Sequence, residues 1–182
     1  MEYIKNNIPD YKQNFFNNLE DFLNTKIYYH GSIQRYDFFN ESDIDIDIFT
    51  INESDTINKI CHFLNCDIND VKQFIWKLDI NKEKVKGYKI LYHNAEYNYY
   101  IDISIFNEKN KNNVLLDQIK SDSLPLYAIF FLFILKFLYY KLEIVSWPIY
   151  SYIKKKIITI SLGYNDCEFI ILGEDAKKQL FL

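Results

Sequence analysis

The 182-residue sequence has few of the residues that break or staple a chain: 4 glycines, 3 prolines and 3 cysteines. Arg35 is its single arginine. With so little Gly and Pro, no linker divides the chain, and fibrous or low-complexity classes are excluded. An odd number of cysteines, behind a polar start ("MEYIKNNIPDYKQNFFNNLE"), predicts a reducing, cytoplasmic setting over a disulfide-stapled secreted one. Cys61, His62, Cys66 and distant Cys167 match no common zinc spacing and read as buried, inert thiols. Long hydrophobic runs are missing too. The most apolar stretch, "LPLYAIFFLFILKFLYYKL" at 124–142, is broken by Lys136, short of the ~20 apolar residues a membrane span needs. It reads as a buried helix, with no membrane partner. Positive charge is likewise scarce: 21 Lys and Arg against 25 Asp and Glu, a net −4. Such a balance opposes a nonspecific grip on duplex DNA, though it leaves room for a local basic cleft.

What is present can fill a core, since 49% of the residues are hydrophobic and 18% aromatic. Residues 10–24 carry a helical rhythm, and "KIYYH" is a short strand that ends at Gly31-Ser32. "IQRYDFF" is compatible with a short helix, and "DIDIDIFT" is a strand by strict alternation and β-branched content. Residues 53–65 and 68–78 read as helices, the second capped by Asp67 or Asn69. "KVKGYKILYHNAEYNYYIDISIF" reads as two strands about a turn at 93–96, and residues 111–160 as mostly helical. The expected fold is α+β: a twisted mixed sheet with flanking helices and a helical C-terminal portion. A core at 1–110 and a helical portion at 111–182 would pack as one unit.

The run "SDIDIDIF" poses the chemical question. Asp43, Asp45 and Asp47 would share one face of a strand while Ile44, Ile46 and Ile48 enter the core. Like charges this close raise each other's pKa unless something positive sits among them. Asp102, inside the apolar strand "YYIDISIF", is a fourth such carboxylate, costly unless paired or bound to metal. Two strands that pool carboxylates suit Mg²⁺ or Mn²⁺, and two such ions can clamp an in-line phosphoryl displacement. Gly31-Ser32 lies about a dozen residues earlier, at a strand–helix junction. It offers a close backbone approach, N–H groups and a hydroxyl to an anion. Order and spacing together suit a bound nucleoside triphosphate.

Gly31-Ser32, nine intervening residues and then Ser42-Asp43-Ile44-Asp45 resembles the signature of the DNA polymerase β-like nucleotidyltransferase superfamily. The motif is closest to the minimal nucleotidyltransferases and the terminal uridylyl or adenylyl transferases. The resemblance covers residues 27–50 and 97–106. It implies that Asp43 and Asp45 hold both metal ions. Asp102 would bind the catalytic one beside the acceptor hydroxyl, and Gly31 and Ser32 would hold the β/γ-phosphates. Attack would fall on the α-phosphorus and expel pyrophosphate. The acceptor could be an RNA 3′-end, a protein or a small molecule. There are departures: Tyr36 stands where many relatives have glycine, and Asp47 is an extra carboxylate that could pair with Asp45 instead of Asp43.

Other readings of these residues stand beside it. An EF-hand counted from Asp43 would need Gly at Ile48 and Glu at Ser54, and fails. An acidic solvated strand edge would explain β-strand aspartates but neither Asp102 nor Gly-Ser. Arg35 could contact a phosphate or pair with Asp37 or Glu41 on the surface. Lys136 needs a buried partner, either a triphosphate tail or a structural carboxylate. Tyr150 and Tyr152 could stack on a base or simply pack, and "KKK" at 154–156 is the best basic patch. A small β-like polymerase and a non-catalytic nucleotide- or partner-binding module remain the alternatives to a template-independent transferase.

Overall fold

The computed structural model describes residues 8–163 and 169–172. Its elements run α1 (Asp10–Leu23), β1 (Ile27–His30), β2 (Ile44–Thr50), α2 (Glu53–Leu64), β3 (Lys72–Lys77), β4 (Lys84–Asn94) and β5 (Tyr99–Asn107). Three helices follow, α3 (Lys111–Asp122), α4 (Leu126–Tyr140) and α5 (Trp147–Leu162), and then β6 (Phe169–Leu172). The fold is α+β, with one sheet of order β1-β2-β5-β4-β3-β6. The sheet is mixed: β2 and β5 run parallel and every other neighbouring pair antiparallel.

Strict alternation gives β2 and β5 two unlike faces. Ile44, Ile46, Ile48, Ile101, Ile103 and Ile105 point one way, and all are at most 1% exposed. Onto them pack Phe16, Leu19 and Leu23 of α1 and Ile57, Ile60 and Leu64 of α2. Each buried isoleucine contributes on the order of 1.5–3 kcal/mol, so this face fixes the register of both strands. The opposite face reads Asp45, Asp47, Phe49 along β2 and Asp102, Ser104, Phe106 along β5. Because the two strands are parallel and Asp45 lies opposite Asp102, the acidic ends coincide and so do the aromatic ends. α3 covers the aromatic half, with Val114 packed among Tyr28, Phe49, Phe74 and Phe106. Gly87 on β4 makes this possible, since a Cβ there would stand 2.6 Å from Phe74 and 2.8 Å from Phe106.

Several local expectations are corrected. The segment 68–78 is not a helix: Ile68–Asp70 is one 3₁₀ turn, capped by Asp67, and Lys72–Lys77 is strand β3. Its spacing of Ile68, Val71, Ile75 and Leu78 mimics a helical stripe, but burial of Phe74 against Phe106 and pairing with β4 win. The short helix after β1 is Gly31–Gln34, not "IQRYDFF", because the backbone is already extended at Arg35. The β4–β5 turn lies at 95–98, two residues later than expected. α4 is only half the buried helix expected. Lys136 points inward at 2% exposed, while Phe130 on the outward side is 60% exposed. Cys61 and Cys66 are free thiols, Cys61 pushed up to about 11 by burial with Cys66 beside it. Cys167 lies outside the described residues.

Candidate active site

A cavity of about 150 Å³ opens at the acidic end of the sheet. β1 and the turn after it bring Gly31, Ser32 and Arg35 to it; the start of β2 brings Ser42, Asp43 and Asp45. α4 and α5 form the opposite wall with Lys136 and Tyr140, and with Tyr150, Lys154 and Ile158. Asp102 is not part of the lining; it sits beside Asp45 on the neighbouring strand. Asp47 lies elsewhere, fully buried, accepting a hydrogen bond from Gln118 Nε2 of α3 (3.2 Å) and ion-paired with His30 Nε2 (3.3 Å).

The carboxylates are short of cations. Burial, and then the Asp45 charge, push Asp43 above the usual range. Asp102 is pushed up to about 6 by burial, which the Lys89 ion pair at 2.6 Å only partly offsets, and the Asp45 charge adds to the rise. Its Oδ1 is buried and has no hydrogen-bond partner among the described residues. Gly31 holds φ +73° against this cluster, and a Cβ there would stand 2.4 Å from Asp45 Oδ2. Glycine is therefore required twice over, for its backbone and for the room it leaves. Gly31→Ala is expected to lose about 1–3 kcal/mol, the range for a strained left-handed residue. It should also displace Asp45; urea unfolding gives the first effect and transfer assays the second.

Whether these residues suit a hard divalent cation can be judged from the donors themselves. Among the described residues no three His, Cys, Asp or Glu side chains are gathered tightly enough to hold a metal ion as they stand. The oxygen-only donor set nevertheless fits. Asp45 and Asp102 are aligned in register on neighbouring parallel strands. Asp43 shares the cavity lining with Asp45, and one buried oxygen of Asp102, on the neighbouring strand, has no hydrogen-bond partner among the described residues.

Three residues at the site were missed or misplaced by sequence reasoning. Asp37 is fully buried, and it accepts from Arg35 Nε (2.8 Å) and Nη2 (3.2 Å) while pairing with Lys136 at 3.2 Å. Arg35 thus pairs with Asp37 in the interior, not on the surface, and the buried partner of Lys136 is a structural carboxylate. Burial, opposed by Asp37, lowers Lys136 to about 8, leaving it mostly charged at neutral pH. Asp122, the last residue of α3, accepts from the Gly31 N–H (2.8 Å) and from Arg35 Nη1 (3.3 Å). Burial pushes it up to about 6. An acid at a helix C-terminus opposes the helix dipole, and that mismatch was the one signal available. Lys154, first of the three lysines, reaches the cavity. Tyr150 is buried and stacks on Tyr139 at 4.4 Å, whereas Tyr152 is exposed.

His30 gives a pH signature. Burial alone would lower its pKa, but Asp47, with Asp45 and Asp122 near, raises it to about 9. A raised folded value means that its contribution is complete below about pH 6.5 and is lost as pH rises through 9. In chelator, stability should fall by up to about 3 kcal/mol over that window, and His30→Gln should flatten the slope. Asp102 and Asp122, also raised, add a loss of the same sign between about pH 4 and 6. Urea midpoints across pH measure both.

No protein-family model matches the chain, and no curated protein matches it. Among solved structures, a chain in the structure of the GLD-2/RNP-8 complex is similar at 16% identity with a TM-score of 0.32. The match covers 72% of this chain and 59% of that one, so the chain spans less than two thirds of that protein's length. A likeness this distant carries no argument about chemistry.

Proposed function

We propose that this chain is a metal-dependent nucleotidyltransferase that moves an NMP from an NTP to a hydroxyl acceptor and releases pyrophosphate. One observation carries the reading: Asp45 and Asp102 stand in register on parallel strands, beside the Gly31 turn and a cavity walled by lysines. Asp43, Asp45 and Asp102 would hold Mg²⁺ or Mn²⁺, which when bound would neutralise the phosphate oxygens and the carboxylate cluster. The Ser32 hydroxyl donates to the β/γ-phosphates, and Lys136 and Lys154 supply the facing positive charge. Arg35 supports the turn from behind through Asp37 and Asp122. Asp102 would sit beside the acceptor hydroxyl, as metal ligand or proton acceptor.

The cavity of about 150 Å³ is smaller than the ~300–1,000 Å³ of sites that enclose a whole ligand. In this reading the cavity takes the triphosphate and the nucleoside lies outside it. The net charge of −4 favours a protein or small-molecule acceptor over long RNA. One observation favours a second reading, a non-catalytic nucleotide- or partner-binding module: Lys89 already occupies one oxygen of Asp102. Incubation with each α-³²P-NTP, Mg²⁺ or Mn²⁺ and a lysate of RNA and protein separates the two. Label in an RNA ladder, one protein band or a chromatographic spot, lost in Asp43→Ala, supports transfer and names the acceptor class. Binding of NTP without aspartate-dependent label supports the module.

A further inference from the structure

α4 has its polarity reversed. Its lysine is inside, and its outward side is a continuous apolar stripe of Leu126, Phe130, Phe133 and Phe137, which are 79%, 60%, 44% and 41% exposed. The spacing i, i+4, i+7, i+11 places them on one line along the helix. Phe131 and Ile134 widen the stripe. At these exposures, and with 150–250 Å² per aromatic side chain, it presents about 500–700 Å². That reaches the top of the ~300–600 Å² of the largest apolar patch on a typical monomer. It approaches the ~800 Å² that each partner contributes to a stable interface.

We infer that the outward face of α4 is a twofold interface with a second copy of this chain. Two such stripes together present about 1,000–1,400 Å², which reaches the low end of a specific interface. The stripe holds no charged residue to meet a basic or acidic partner or an anionic lipid headgroup, and the chain's net −4 opposes the last of these. Lys141, at the end of α4, is engaged by Glu41 of its own chain. Among the described residues no single helix is long and apolar enough to cross a membrane, and Glu108–Asp122 with α4, which pass together by length and composition, are bent by 78°. A uniform apolar stripe is its own complement, and two copies of α4 crossing on a twofold axis bury both stripes at once. The inner side of the same helix carries Lys136 and Tyr140 to the cavity, so the pairing braces one wall of each site.

Sedimentation velocity and light scattering on the full chain at micromolar concentration test the interface without reference to the reaction. The wild type is expected at twice 22.0 kDa, and Phe130→Glu/Phe137→Glu at 22.0 kDa with an unchanged circular dichroism spectrum. Ile51→Glu, at an 87% exposed position after β2, should remain dimeric. Should the double variant not fold, Phe130→Cys decides: mild oxidation should yield a cross-linked dimer band absent from the wild type. A wild type monomeric at every concentration, a double variant that folds and still dimerises, or failure of Phe130→Cys to cross-link would each overturn the interface. So would a monomer that floats with neutral phosphatidylcholine vesicles, which would make the stripe a lipid contact.

Discussion

Asp45→Asn is expected to lower NMP transfer by on the order of 10²–10³-fold, the cost of deleting one group aimed at developing charge in a phosphoryl-transfer site. Its effect on the fold should be small or favourable. Asp45 is the charge that, after burial, raises Asp43, and it helps hold Asp102 up to about 6. Neutralising it removes repulsion without emptying any volume. The carboxyl of Asp102 should then titrate lower than in the wild type, which carboxyl-carbon NMR can follow. Loss of transfer together with equal or higher unfolding midpoints is the pattern of a residue kept for chemistry. Loss of both would make Asp45 a structural residue.

The second large effect is structural. Asp37→Ala should cost about 3–5 kcal/mol, because it removes the carboxylate paired with the buried Lys136 ammonium, 2% exposed, and the two-oxygen partner of Arg35, which keeps Asp122. Burial opposes the Asp37 charge, but Lys136 and Arg35 together hold its pKa below the usual value. A depressed folded value means that its contribution is present at neutral pH and is lost only as the solution becomes more acid than the ordinary Asp range. Adding Lys136→Met to Asp37→Ala should recover part of the loss, since Arg35 keeps Asp122 and an apolar side chain replaces the stranded ammonium. Urea unfolding of the two variants tests this. Equal stability of the single and double variants would show that Lys136 does not depend on Asp37.

Much of this architecture can be read from the sequence, because two strands carry strict alternation. "DIDIDIF" and "YIDISIF" each place isoleucine at every second position, which sets a buried face and therefore which residues face the site. The turn at Gly31-Ser32 is legible because glycine is rare here. Other features depend on partners distant in sequence. Residues 68–78 carry a pattern compatible with either period, and only pairing with β4 decides it. Asp37 looks like an ordinary loop aspartate until α4 brings Lys136 to it across 99 positions. Asp122 is invisible for the same reason, since its partners Gly31 and Arg35 lie at the two ends of the turn after β1. The inward turn of Lys136 inverts the expected polarity of α4, and composition alone could not show which side of that helix meets the sheet.

The central claim is that the α-phosphorus is attacked and the NMP moves. Parallel reactions with α-³²P- and γ-³²P-labelled NTP, wild type beside Asp45→Asn, test it most directly. α-Label on the acceptor and γ-label in pyrophosphate are expected for the wild type, and both lower by on the order of 10²–10³-fold for the variant. γ-Label on the acceptor, or α-label undiminished in Asp45→Asn, would contradict it.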